Sequence, residues 1–124
     1  MLETGSAIAT IAVRDIAKAA PFYEGVLGLK RLPSEEPGVL MYESGRSRVL
    51  VYPSQFAGTN RATAATWEVD SVEDAVRDLK GKGVVFEHYD LPGVKRNGDV
   101  HETGRSKAAW LKDPDGNILA IVGA

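Results

Sequence analysis

Ala9-Thr10-Ile11-Ala12-Val13 is answered by Ala65-Thr66-Trp67-Glu68-Val69 at a constant offset, 69 − 13 = 56 residues along the chain. Both stretches open on Ala-Thr, close on Val, and are rich in residues that suit a half-buried strand. Ala7 to Val13 therefore reads as a first strand and Ala64 to Val69 as its counterpart. The segments after the two strands are also alike. After Asp15, apolar residues recur at Ala19, Phe22/Tyr23 and Val26/Leu27, three or four apart, and stop at Gly28, which predicts a helix. Pro21 fits this helix if it starts near Lys18, because the first four helical N–H groups have no intrahelical acceptor. After Asp70, Ser71 supplies a cap, Asp74 stands three residues later, and Val72, Ala75, Val76 and Leu79 form one apolar face that ends at Lys80-Gly81.

Three short strands come after each helix. In the first half they are Leu29 to Leu32, Val39 to Glu43 and Arg48 to Tyr52, separated by Pro33 to Gly38 and by Ser44-Gly45. In the second they are Val84 to Tyr89, Lys107 to Lys112 and Asn117 to Val122, the last two joined by the turn Asp113-Pro114-Asp115-Gly116. A polar break, Pro53 to Arg61, parts the halves. The prediction is an α+β fold of paired βαβββ modules in one curved mixed sheet, with the helices outside. One domain spans 1–124, with module one at about 5–53, a linker at 54–62 and module two at about 63–123.

Composition excludes several classes of chemistry. The chain of 124 residues is 44% hydrophobic and 26% charged, so it can build a core. It has no cysteine, which removes disulfides, thiolate metal sites and cysteine nucleophiles. Fifteen basic against 17 acidic residues give −2, with both signs scattered, so no nucleic-acid partner is expected. Met1 to Ala9 has no basic leader, and no apolar run reaches the ~20 residues that cross a bilayer. A soluble cytoplasmic protein with no membrane partner is the expectation.

Val13-Arg14-Asp15-Ile16 with Phe22-Tyr23 and Val26-Leu27-Gly28-Leu29, then Trp67-Glu68-Val69-Asp70, then Ala109-Trp110-Leu111-Lys112-Asp113-Pro114-Asp115-Gly116-Asn117, resemble vicinal-oxygen-chelate proteins. These include glyoxalase I, bleomycin-resistance proteins and extradiol dioxygenases. The resemblance implies a ligand, often with a divalent metal, held in a cup formed by the sheet. It also implies a homodimer with modules paired across the interface. The family's metal ligands are His, Glu or Gln at one place on the first and last strand of each module. Those places fall here on Ile8, Ala64, Ala120 and either Val49 or Val51, which offer no oxygen or nitrogen donor. The usual metal site is thus expected to be absent, no cofactor is predicted, and a divalent metal is conceivable only through non-standard ligands.

The candidates for ligand contact are Tyr52, Trp67, Phe86, His101, Arg105 and Trp110, with inter-module packing the competing role for Trp67 and Trp110. Strand alternation gives the parity of these side chains but not which face is the cup. Glu87 and His101 are the candidate acid–base pair. The segment Asp90 to Ser106, 106 − 90 + 1 = 17 residues, is long enough for a lid, and Asn97-Gly98 suits a hairpin turn within it. The first expectation is a metal-free protein binding a small organic ligand. The alternatives are a lyase, isomerase or dioxygenase-type enzyme using unusual donors or the Glu/His pair, and an assembly domain whose cup is filled by its own side chains.

Overall fold

The computed structural model describes Met1 to Ala124. Strand β1 (Ala9–Val13) leads to helix α1 (Ile16–Pro21), a π-helical turn (Phe22–Val26), and strands β2 (Lys30–Leu32), β3 (Leu40–Ser44) and β4 (Ser47–Pro53). Strand β5 (Thr63–Val69) leads to helix α2 (Val72–Gly81) and strands β6 (Lys95–Asn97), β7 (Val100–Thr103), β8 (Ser106–Lys112) and β9 (Ile118–Gly123). The first sheet has the order β1-β4-β3-β2 and the second β5-β9-β8-β7-β6. In each, the opening strand lies parallel to the closing one, so both halves share one plan.

Helix α1 departs from expectation at both ends. Asp15 caps it by accepting the Ala17 N–H at 2.9 Å, so the helix starts at Ile16 rather than near Lys18. Pro21 is then the sixth helical residue, too far along for its missing N–H to be harmless. The ladder widens after it, and the Leu27 N–H reaches the Phe22 carbonyl five residues back at 2.9 Å. Gly28, at φ +71°, ends the turn as the sequence indicated. Helix α2 begins as expected, with the Ser71 hydroxyl accepting the Asp74 N–H at 3.2 Å.

The predicted strand at Val84 to Tyr89 is not formed. Only Glu87 pairs, in a single antiparallel bridge to Trp110. The outer edge of β8 is already taken by β7 as far as Ala108, which pairs with His101, and only the Trp110 end is left. The missing strand comes instead from the segment read as a long loop. Residues 95–97 and 100–103 pair as a hairpin with Asn97 opposite Val100, so its two-residue loop is Gly98-Asp99, one residue later than the Asn97-Gly98 turn expected; β9, β8 and β7 hold the places of β4, β3 and β2, and β6 gives the second sheet one strand more than the first.

The two halves are fastened by the turn after β8. The Asp113 carboxylate, buried, accepts the Tyr23 hydroxyl from the first half at 2.6 Å and the Asn117 side-chain amide at 2.8 Å. Asn117 donates to the Ala12 carbonyl at 2.7 Å and accepts the Gly58 N–H at 3.3 Å. Asp115 accepts the Arg14 N–H at 3.2 Å. Asp113-Pro114-Asp115-Gly116-Asn117 is therefore a clamp on the end of β1, the first helix and the linker. One core runs through both halves, with Ile11, Val13, Tyr23, Tyr42 and Val51 from the first meeting Val72, Leu79, Ala109, Leu111 and Leu119 from the second. No helix is long and apolar enough to cross a membrane.

Candidate functional site

Pairing register gives each strand residue a face, because directly paired side chains point the same way. In the first sheet Ile11, Val51 and Leu40 are in register and buried, so they face the helices. Thr10, Leu50, Met41 and Leu32 share the opposite, open face. In the second sheet Trp67, Ile121 and Ala109 face the helices, while Thr66, Ala120 and Trp110 share the open face.

This corrects the first-half metal position. Thr10 pairs with Leu50 as Thr66 pairs with Ala120, and Thr66 stands at the repeat offset from Thr10, 66 − 10 = 56. The counterpart of Ala120 is therefore Leu50. Val49 and Val51, one residue either way, are buried on the helix side. Ile8, Leu50, Ala64 and Ala120 offer a cation no donor. No three His, Asp or Glu side chains converge elsewhere. The residues present do not fit the metal that the fold family implies.

In place of donors, the open face of the second sheet carries an aromatic cluster. Glu87 bridges to Trp110, which puts Tyr89, two residues on, on the same face. Trp110 receives His101 edge-on at 4.8 Å between ring centres and Tyr89 edge-on at 5.3 Å, and Tyr89 and His101 lie 6.2 Å apart. His101 is 2% exposed. Its Nε2 accepts the Tyr89 backbone N–H at 3.0 Å, which leaves Nδ1 as the donor nitrogen of the ring. That Nδ1 and the Tyr89 hydroxyl are both buried without a hydrogen-bond partner. Burial raises the Tyr89 hydroxyl above its ordinary pKa, with the nearby Glu87 carboxylate adding to the effect. Two unmet polar groups beside an indole form the one place where sheet chemistry is unfinished, each leaving ~1–3 kcal/mol of desolvation uncompensated.

The other candidates are dispersed. Tyr52 is on the open face of the first sheet, in register with Ala12 and 37% exposed. Trp67 lies on the helix side, where its indole N–H donates to the Ser44 hydroxyl at 2.8 Å and joins the two halves. Phe86 has the opposite parity to Glu87 and is packed in the core. Arg105 is in the exposed turn between β7 and β8, beside Glu68 and Asp70. Glu87 and His101 are not joined: the Glu87 carboxylate is 3.4 Å from Lys112 Nζ. His88 meets Asp99 at 2.6 Å, and Asp99 meets Lys80 of α2 at 2.8 Å, so this trio ties the β6–β7 hairpin to the helix side. Lys80 first and His88 second hold the Asp99 carboxyl below the usual range. Tyr89 is the cluster residue missing from the ligand-contact candidates, and its signal was parity with Glu87, readable once the Glu87–Trp110 bridge set the face.

Comparison with known proteins agrees with this architecture. No curated protein matches the sequence. Among solved structures, the fosfomycin resistance protein FosX of Listeria monocytogenes aligns over 98% of this chain and 93% of its own, with a TM-score of 0.71 at 12% identity. TnmS3, an antibiotic binding protein from Streptomyces sp. CB03234, aligns over 97% of both chains with a TM-score of 0.68 at 21% identity. A glyoxalase/bleomycin resistance protein/dioxygenase superfamily member from Sphaerobacter thermophilus aligns over 100% of both, with a TM-score of 0.70 at 20% identity. At these identities the likeness is one of fold. The sequence profile named Glyoxalase/Bleomycin resistance protein/Dioxygenase superfamily matches residues 6–121, and the chain belongs to that superfamily.

Proposed function

We propose that this chain binds a small, flat organic molecule against Trp110, His101 and Tyr89, without a metal ion. The observation that carries the reading is the pair of buried, unpartnered polar atoms, His101 Nδ1 and Tyr89 Oη, in an aromatic cluster next to Ala120. An indole face suits an aromatic or conjugated ligand. An Nδ1–H donor suits a carbonyl or ether oxygen, which it reaches when one of the three rings turns aside. The fold likeness to an antibiotic binding protein supports binding rather than turnover as the first reading. An acid–base enzyme built on Glu87 and His101 has less support, since Lys112 lies at the first and the Tyr89 N–H occupies Nε2 of the second.

A homodimer belongs to this reading. Leu32, Met41 and Leu50 form an apolar strip with Tyr52 on the open face of the first sheet, and in one chain the first three are only partly buried and Tyr52 is exposed. Light scattering should give twice the 13.3 kDa of one chain, and a 13.3 kDa particle would remove the dimer.

The binding claim is tested by screening a few hundred carbonyl-bearing aromatic fragments by NMR on 15N-labelled protein. Hits should move the Trp110 indole N–H and the His101 ring signals. Trp110→Ala should weaken them at least tenfold, read at the His101 ring signals in a variant whose spectrum stays dispersed. Hits that map elsewhere, or a screen with no hits, would end the proposal.

A further inference from the structure

The helix-bearing side of the second sheet holds a cavity of about 260 Å³ at the seam between the halves. Leu27 from the end of the π-turn, Trp67, Ala75 and Leu79 of α2, and Leu111 and Leu119 of the sheet supply apolar walls. The Ser44 hydroxyl in its lining is already engaged by Trp67. Asp78 is the only charged residue bordering the cavity, and its side chain is 68% exposed, which puts the carboxylate at the mouth. Lys82 lies 3.5 Å from that carboxylate and donates to the Val26 carbonyl at 3.3 Å, so it bridges the seam and offsets part of the charge.

We propose that this cavity is a second ligand site, separate from the Trp110 face, for a small hydrophobic amine whose ring enters the apolar chamber and whose ammonium meets Asp78. Size supports a single substituted ring. An apolar cavity of ~150 Å³ takes up benzene, and drug-sized ligands need ~300 Å³ or more. Charge complementarity supports the ammonium. A carboxylate-bearing analogue of the same shape meets Asp78 with the wrong sign. Because Asp78 is solvated and shared with Lys82, its preference for the cation is modest, about threefold in affinity. A ligand of about ten heavy atoms binds with a Kd on the order of 1 mM.

The two tryptophans make the site separable from the one proposed above. Trp67 borders this cavity and Trp110 is on the open face, so the two indole N–H cross-peaks of 15N-labelled protein, assigned with Trp67→Phe and Trp110→Phe, report them individually. With 4-fluorophenethylamine as the probe, the Trp67 signal should shift saturably and the Trp110 signal should not. Ala75→Leu, which pushes an isobutyl group into the chamber, should weaken the probe at least tenfold. Should that variant lose its dispersed spectrum, Ala75→Met fills the same space with a more adaptable chain and should show the same loss. 4-Fluorophenylacetate should bind about threefold more weakly than the amine, and Asp78→Asn should erase the difference. A shift at Trp110 instead of Trp67, undiminished binding in the folded Ala75 variant, or equal affinity for amine and acid in the unaltered protein would each overturn the proposal. The Trp110-face reading stands or falls by its own signal.

Discussion

Tyr23→Phe removes one hydroxyl from the clamp and should be far more costly than the loss of an ordinary tyrosine hydroxyl. The Tyr23 side chain is fully buried and donates to the buried Asp113 carboxylate at 2.6 Å. Hydrogen bonds to a charged group contribute about 1.5–3 kcal/mol. The carboxylate is not left bare by the substitution, since Asn117 Nδ2 remains at 2.8 Å and the backbone N–H groups of Asp115 and Asn117 remain at 2.9 Å. A cost of about 2 kcal/mol results. With an unfolding entropy of ~2.1 cal/mol/K per residue, a chain of 124 residues loses about 4 °C of Tm per kcal/mol, so the variant should melt about 8 °C lower. Urea unfolding monitored by circular dichroism gives the free energy directly. Asn117→Ala in the same background tests whether the clamp acts as a unit. Both groups bond the same Asp113 oxygen, so the double variant should depart from additivity by about 1 kcal/mol. A Tyr23→Phe protein within ~0.5 kcal/mol of the parent would refute the assignment of this turn as the fastening between halves.

Three further outcomes rest on particular contacts. Burial, and then the Glu24 carboxylate that accepts its hydroxyl at 2.8 Å, push Tyr42 up to about 12; the unfolded chain deprotonates near pH ~10, so this contribution to stability is complete below pH ~10 and is lost as pH rises toward 12. Tyr42→Phe should flatten the fall in urea midpoint between pH 9 and 11, and an unchanged slope would count against it. Gly58→Ala should cost at least ~2 kcal/mol, because Gly58 has φ +70° and an added Cβ would be 1.9 Å from the Asp115 carbonyl oxygen. Gly45→Ala, at φ +57° with open space around it, should cost only ~1 kcal/mol in the same thermal assay; equal losses would mean that the linker does not press on the clamp.

Fold and site were legible to different degrees. The repeat at Ala9 to Val13 and Ala65 to Val69, the Ser71 cap and the Gly28 stop are local signals, and each led to the element it indicated; Asn97-Gly98 marked a hairpin whose loop falls one residue later, at Gly98-Asp99. Helix α1 starts two residues before the expected Lys18 because Asp15 is its cap. The strand expected at Val84 to Tyr89 failed for a non-local reason: an apolar run pairs only where an edge is free, and β7 had taken the edge of β8 as far as Ala108. The site depended on faces. Alternation placed Phe86 and His88 opposite Glu87 and Tyr89, but only the Glu87–Trp110 bridge and the β1–β4 register told open side from helix side. The same register moved the fourth apolar position from Val49 or Val51 to Leu50. The role of Asp113 to Asn117 lay in contacts some 90 to 105 residues away in sequence, to Tyr23 and Ala12, which a turn motif alone does not reveal.

On our proposal the open face binds organic ligands without a metal, because Ile8, Leu50, Ala64 and Ala120 offer a cation no donor. Equilibrium dialysis of the chelator-free protein against Zn²⁺, Mn²⁺, Ni²⁺ and Fe²⁺, read by elemental analysis, tests it most directly. The protein should hold well under one-tenth of an ion per chain and show no rise in Tm with any of the four. One tightly held ion per chain, with a saturable rise in Tm, would contradict it.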